Sequence, residues 1–249
     1  MTIMNLKSGL SGPRLGLNLP CPCVASCHEL LMNLDFEFAR RQMIDQQVRA
    51  WDVLDERVLE TLAAVPRELY VPDAYRDVAF ADTSIPLGHG QGMFTPQVEG
   101  RCLQALAVER EDDILEIGTG SGFLAACLAR MGRRVRSLEL FEDLAQAAVR
   151  TLQARSVTNV TVECADASKL EAEPRYDVIA VTASLPVYDA RFERALRPGG
   201  RLFVVVGDGP AMDAQLVTRV AEDQWARETL FETFVPAMIN AVRPEAFVF

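Results

Sequence analysis

Apolar residues recur along the chain at two different spacings, and the change from one to the other divides it. From Phe36 to about Ala50 the pattern is charged and helical, with Phe38, Met43, Ile44 and Val48 as the candidate buried stripe. A second helix is predicted from Asp52 to Val65, where Val53, Leu54, Val58, Leu59, Leu62 and Val65 recur at helical spacing before Pro66 stops the pattern. The segment Tyr70 to Asp82 is irregular and proline-punctuated, and Ile85 to Pro96, bracketed by Gly and Pro, reads as a loop and not a strand. Val98 to Leu106 is the next helix. Beyond it, short apolar runs alternate with amphipathic stretches, predicting strands over 113–117, 135–139, 160–164, 177–182 and 201–206 with helices over 121–131, 142–154 and 188–196. Arg197-Pro198-Gly199-Gly200 marks a sharp turn, and Thr229–Val235 and Ala246–Phe249 read as antiparallel edge strands. Strand and helix alternating at this interval predict right-handed βαβ units, hence an α/β fold with a doubly wound, mostly parallel sheet beneath an N-terminal helical layer.

Residues 1–33 show no sustained period and are rich in Gly, Pro, Ser and Leu, the composition of a disordered leader or upstream extension. Met32 directly precedes the patterned region. Residues 34–249 are expected to form one domain, with the helical layer and a substrate loop over 34–106 and a cofactor-binding sheet over 107–249. Lys7 and Arg14 are followed only by short apolar patches broken at Pro20 and Pro22, which argues against a secretory signal. No apolar run reaches the ~20 residues that cross a bilayer. The net charge of −10 disfavours a nucleic-acid partner, because binding phosphates needs clustered Lys and Arg. Of six cysteines, Cys102, Cys127 and Cys164 read as small buried hydrophobes of a reducing cytoplasm. Cys21, Cys23 and Cys27-His28 lack a second paired half at zinc-finger spacing, so no metal is expected.

The chemistry concentrates in Asp113-Ile114-Leu115-Glu116-Ile117-Gly118-Thr119-Gly120-Ser121-Gly122, an apolar strand that ends in three glycines separated by small hydroxyl residues. Glycines let the backbone bend sharply and let a ligand approach the main chain. The spacing G-x-G-x-G, preceded by Glu116, differs from the G-x-G-x-x-G that cradles a pyrophosphate. It suits a ligand carrying an amino acid and a nucleoside, such as S-adenosyl-L-methionine. Glu139, closing the second strand about 20 residues on, stands where an acid reaches ribose hydroxyls. Asp166 closes the third strand, where a carboxylate accepts the exocyclic amine of adenine, or else caps a turn. Leu140 and Ala167 follow these acids. At the fourth strand end Val181-Thr182-Ala183 keeps side chains small. In this order, with Pro198-Gly199-Gly200, the elements point to a class I S-adenosylmethionine-dependent methyltransferase.

One family shares more than this turn. Arg57-Val58-Leu59, Val65-Pro66-Arg67-Glu68, Tyr70-Val71-Pro72, Tyr75-Arg76, Ala79-Phe80-Ala81-Asp82, Pro86-Leu87-Gly88-His89-Gly90-Gln91, Leu115 to Gly122 and Val181-Thr182-Ala183 resemble the protein-L-isoaspartate O-methyltransferases. The resemblance runs from about Phe36 to the C-terminal strands and implies a Rossmann-like methyltransferase sheet. It also implies S-adenosyl-L-methionine as cofactor, a protein or peptide carboxylate as partner, and methyl esterification of an isoaspartyl residue in damaged protein. Carried onto this chain, the cofactor falls to Glu116, Gly118, Thr119, Gly120, Ser121, Gly122, Glu139, Leu140, Asp166, Ala167 and Thr182.

The acceptor loop departs from the family pattern G-x-G-Q-T-I-S-x-P. Here it reads Gly88-His89-Gly90-Gln91-Gly92-Met93-Phe94-Thr95-Pro96, with Gly92 at the threonine position and Phe94 at the serine associated with catalysis. Gln91, Phe94 and Thr95 are therefore the substrate-loop candidates, Thr95 offering the neighbouring hydroxyl. His89 is expected to make a structural hydrogen bond, and Trp51 to pack between layers. Two further readings stay open: a paralogue using the same cofactor on a small-molecule carboxylate or another acceptor, and a non-catalytic cofactor-binding module. The oligomeric state is not legible.

Overall fold

The computed structural model describes residues 35–243. The leader with its Cys21, Cys23, Cys27 and His28, and the expected strand Ala246–Phe249, lie outside the described residues. Helix α1, described from 35 to 43, runs on into a π turn, Ile44–Val48, and a 3-10 turn, Arg49–Trp51. It is followed by α2 (Glu56–Ala64), a hairpin of β1 (Pro86–Gly88) and β2 (Gln91–Gly92), and α3 (Pro96–Leu106). Then come β3 (Asp113–Ile117), α4 (Phe123–Met131), β4 (Arg134–Glu139), α5 (Glu142–Ala154) and β5 (Val160–Cys164). The chain closes with β6 (Tyr176–Leu185), α6 (Ala190–Arg194), β7 (Leu196–Val206), β8 (Met212–Ala221) and β9 (Gln224–Thr233).

Seven strands form one sheet in the order β5-β4-β3-β6-β7-β8-β9, parallel from β5 to β7 and antiparallel from there on. The chain winds outward through β4 and β5, then returns to β6 on the other side of β3, so strand order reverses between β3 and β6. All five residues of β3 are buried, as a central strand covered on both faces requires. Alternate side chains feed two apolar clusters. Ile114, Val178 and Phe203 join α2, α3 and α4 on one face, while Leu115, Ile179 and Leu202 join Phe192 of α6 on the other. Phe123, Phe192 and Phe203 are fully buried; each contributes roughly 1.5–3 kcal/mol by leaving water.

Several local expectations are corrected. Ile85 to Pro96 is a hairpin, because His89 and Gly90, with φ of 53° and 72°, form the two-residue turn with positive φ at both positions that matches strand twist. Phe38 and Leu54 are exposed: Phe36 takes the inward position against Phe80, and Phe38 lies about 200° further round the helix. Leu54 precedes α2, which starts only after Asp55 accepts the Arg57 amide as its N-cap. Trp51 is exposed and meets Phe231 edge-on at 6.0 Å. Cys164 is exposed because it sits on the edge strand β5, while Cys102 and Cys127 are buried. Helix 188–196 shrinks to α6 once Asp189 caps it. Arg197-Pro198-Gly199-Gly200 is a bulge within β7 opposite Tyr176–Val178, and β8 lies where no strand was expected.

Candidate active site

A cavity open to solvent lies at the carboxyl ends of the strands where their order reverses. Gly118 forms its floor with φ of +90°. A Cβ there would stand 2.4 Å from Thr182 Oγ1, whose one proton is shared between the Ile117 and Gly118 carbonyls, both at 2.8 Å. Thr182 reaches this point because β6 bulges against β7 between Ala180 and Ser184. The first βα turn and the strand across the switch point are thus locked together at a glycine.

The turn is tied equally to its other neighbour. The Gly118 amide donates to Leu138 O, and the Gly120 amide to Glu139 Oε2, both at 2.8 Å. Glu139 Oε1 accepts from the Phe141 amide at 3.1 Å, leaving each buried carboxylate oxygen with a spare lone pair. Asp166 accepts from the Ser168 amide and from Asn240, hydrogen bonds that hold its carboxyl below the usual range.

Gln91, Phe94, Gly118, Thr119, Gly120, Ser121, Glu139, Leu140, Asp166, Ala167 and Thr182 all line the cavity. Glu116, Gly122 and Thr95 do not. Glu116 is wholly buried under the turn, where Ser137 donates to one of its oxygens and Thr119 joins Ser137 at 2.5 Å. Burial pushes its carboxyl up to about 8 against the Ser137 hydrogen bond, and the charge of Glu139 adds to the rise. Gly122 is the N-cap of α4, and Thr95 precedes α3, accepting the Glu99 amide through its backbone carbonyl.

The hairpin roofs this space. Leu87 and Gln91 line it, and Leu87 stands so close to Gly120 that a Cβ there would lie 2.9 Å from its Cδ1. At the hairpin tip, His89 stacks on Phe141 with centroids 4.0 Å apart and meets Asp143 through Nε2 at 3.0 Å. Met93 and Phe94 complete an apolar wall, the Phe94 ring packing edge-on against Phe203 at 6.4 Å.

Two charged residues escaped the sequence reading. Glu99, in the first turn of α3, is buried and lines the cavity, paired with the equally buried Arg67. Arg67 also donates to Ala79 O at 2.8 Å and Phe94 O at 2.9 Å, and its guanidinium lies 5.1 Å from the Phe123 ring centre. Burial pushes the Glu99 carboxyl up to about 7 despite Arg67. The signal was present in the pattern, because Glu99 shares the stripe of Cys102, Leu103 and Leu106. Among the described residues lining the cavity there are three acids and no Lys, Arg or His. The described residues contain no group of three or more His, Cys, Asp or Glu able to hold a metal ion, and no helix long and apolar enough to cross a membrane.

Comparison with known proteins gives a consistent result. A family model described as protein-L-isoaspartate(D-aspartate) O-methyltransferase matches residues 39–241. A protein-L-isoaspartate O-methyltransferase of Roseiflexus sp. is 36% identical over 191 residues, covering 76% of this chain and 86% of its own. Another from Syntrophobacter fumaroxidans is 38% identical over 185 residues, with coverage of 74% and 86%. A Plasmodium falciparum crystal structure assigned to the same enzymes, and holding S-adenosyl-L-homocysteine, shares the fold with a TM-score of 0.70 at 18% identity, over 80% of this chain and 97% of its own. On the match across residues 39–241 and the identity to these relatives, the chain belongs to the protein-L-isoaspartate(D-aspartate) O-methyltransferase family.

Proposed function

We propose that this chain uses S-adenosyl-L-methionine to methyl-esterify a carboxylate, that of an isoaspartyl residue in a damaged protein. The observation that carries the reading is the cavity at the strand-order reversal, floored by Gly118 and bearing Glu99, Glu139 and Asp166 with no basic side chain among the described lining residues. Such a lining repels a pyrophosphate and suits a cationic nucleoside. Glu139 has lone pairs free for a ribose diol and Asp166 faces the adenine end, while Gly118 to Ser121 bring bare backbone to the ligand. Bound there, S-adenosyl-L-methionine supplies a methyl group on a sulfonium whose sulfur leaves as a neutral thioether.

The residues of this chain have little acid–base work to do. An acceptor carboxyl with an ordinary pKa near ~4 is already ionised at neutral pH, so no general base is needed. Their task is to align oxygen with methyl and sulfur and to exclude water. Leu87, Met93 and Phe94 supply the dry wall, and Arg67 fixes it by holding the Phe94 carbonyl. The free thiols of Cys102, Cys127 and Cys164 agree with a reducing compartment, and the cytoplasm is the proposed location.

Phe94 favours a second reading of the acceptor. Its buried ring offers no hydroxyl where the family pattern has serine, and its setting suits an apolar or aromatic carboxylate. Transfer of tritiated methyl to an isoaspartyl peptide, scored as base-labile label, tests the first reading. No label above background, with S-adenosyl-L-homocysteine still binding, removes the isoaspartyl assignment and keeps the cofactor. On the second reading Phe94→Ser impairs the native reaction; a gain of isoaspartyl turnover from nothing shows instead that the loop alone withheld it.

A further inference from the structure

Resting on that cofactor reading, we infer that Glu99 is a cofactor-binding residue whose unpaired carboxylate oxygen accepts a hydrogen bond from the α-ammonium of the methionyl group. Glu99 is 3% exposed and lines the cavity. Its Oε1 is taken by Arg67, while Oε2 is buried with no hydrogen-bond partner. Arg67 cannot turn to satisfy that atom, because its three nitrogens are spread over Ala79 O, Glu99 and Phe94 O. Leaving a buried carboxylate oxygen unpaired is costly, because nothing replaces the water it gave up. An apolar residue at this position would continue the stripe of Cys102, Leu103 and Leu106 at no such cost.

Which group meets Oε2 follows from the ligand's own order. Along the sheet edge, Asp166 ends β5, Glu139 ends β4, the glycine turn follows β3, and α3 packs over β6 and β7 beyond it. Adenine at Asp166 and ribose at Glu139 leave the sulfonium over the glycine turn and carry the amino-acid tail toward α3. The sulfonium has no N–H to give. The α-ammonium has three, and Oε2, unlike the Oε1 held by Arg67, has no donor of its own. Besides Arg67, the ionisable groups near enough to feel the Glu99 charge are Cys102 and Cys127, neither of them a cation.

The test compares two ligands by calorimetry. S-adenosyl-L-homocysteine carries the ammonium, and 5′-methylthioadenosine keeps the nucleoside and thioether without the amino acid. Glu99→Gln keeps an oxygen for Arg67 and turns an amide N–H toward the cavity, so it should weaken S-adenosyl-L-homocysteine about ten- to hundredfold and leave 5′-methylthioadenosine within about twofold. Should that variant fold poorly, the wild-type protein is compared on S-adenosyl-L-homocysteine and its deaminated analogue, which keeps the carboxylate but lacks the ammonium and must bind about ten- to hundredfold more weakly. Equal weakening of both ligands, or unchanged homocysteine affinity, overturns the inference. Wild-type protein that binds neither ligand overturns the cofactor reading itself, a distinct result.

Discussion

Gly118→Ala places a single methyl group at the point where β3, the turn and β6 meet. An alanine at φ of +90° carries a left-handed backbone cost of about 1–2 kcal/mol. The new Cβ would stand 2.4 Å from Thr182 Oγ1, so the hydroxyl must leave and forfeit the one hydrogen bond it shares between the Ile117 and Gly118 carbonyls, worth about 1 kcal/mol. The sum is a loss of about 2–3 kcal/mol in urea unfolding. Gly90→Ala is the control: φ is +72°, and nothing lies within 4 Å of its Cβ, so only the backbone cost of about 1–2 kcal/mol applies. Thr182→Ala alone should cost about 1 kcal/mol but nothing further in the Gly118→Ala background, because the same shared hydrogen bond is already gone. Additive losses in the double variant, or a Gly118→Ala no less stable than Gly90→Ala, would refute the steric argument.

The remaining predictions concern charge. In the unfolded chain a glutamate titrates near 4.5, whereas burial raises Glu116 to about 8 and Glu99 to about 7, so between these values the folded chain holds protons the unfolded chain has released. Stability is therefore greatest at the acid side of this window and declines as pH rises toward 8. Glu116→Gln should raise the urea midpoint at pH 8 and flatten the profile above about pH 7; a profile as steep as wild type contradicts the assignment. At the hairpin tip, the His89 hydrogen bond holds the Asp143 carboxyl below its usual range, yet both side chains are exposed. Exposed pairs contribute little to global stability, so Asp143→Asn should leave the urea midpoint unchanged while speeding amide exchange at Gly90 and Gln91. Exchange no faster than wild type would show that the Phe141 stack alone holds the tip.

The strands β3, β4 and β5 begin and end within a residue of expectation, because buried parallel strands announce themselves as short apolar runs closed by turns. The hairpin was harder to read: positive φ at His89, a non-glycine residue, depends on Phe141 and Asp143, which lie more than 50 positions away. Strand β8 was missed because Arg219 breaks its alternation, and that arginine is buried only because Leu196 O and Glu222 O, supplied by the folded neighbourhood, accept its N–H groups. In the site, Gly118, Glu139 and Asp166 declare themselves by position along the strands. Arg67 and Glu99 are a pair 32 residues apart whose burial makes sense only once each is seen to satisfy the other.

The sheet ends in two unequal borders. Among the described residues no strand pairs with the outer side of the ten-residue β9, a ladder long enough to template the growth of a cross-β aggregate. Arg227, Glu228 and Glu232 interrupt its apolar residues, and any second strand laid alongside would bring these charges against its own. At the opposite border β5 offers only five residues and ties Glu163 to Arg136. Replacing Glu228 and Glu232 with threonine, while keeping Arg227 for its pairing with the buried Glu193, would therefore leave folding stability nearly intact and bring on fibre growth that thioflavin T fluorescence detects.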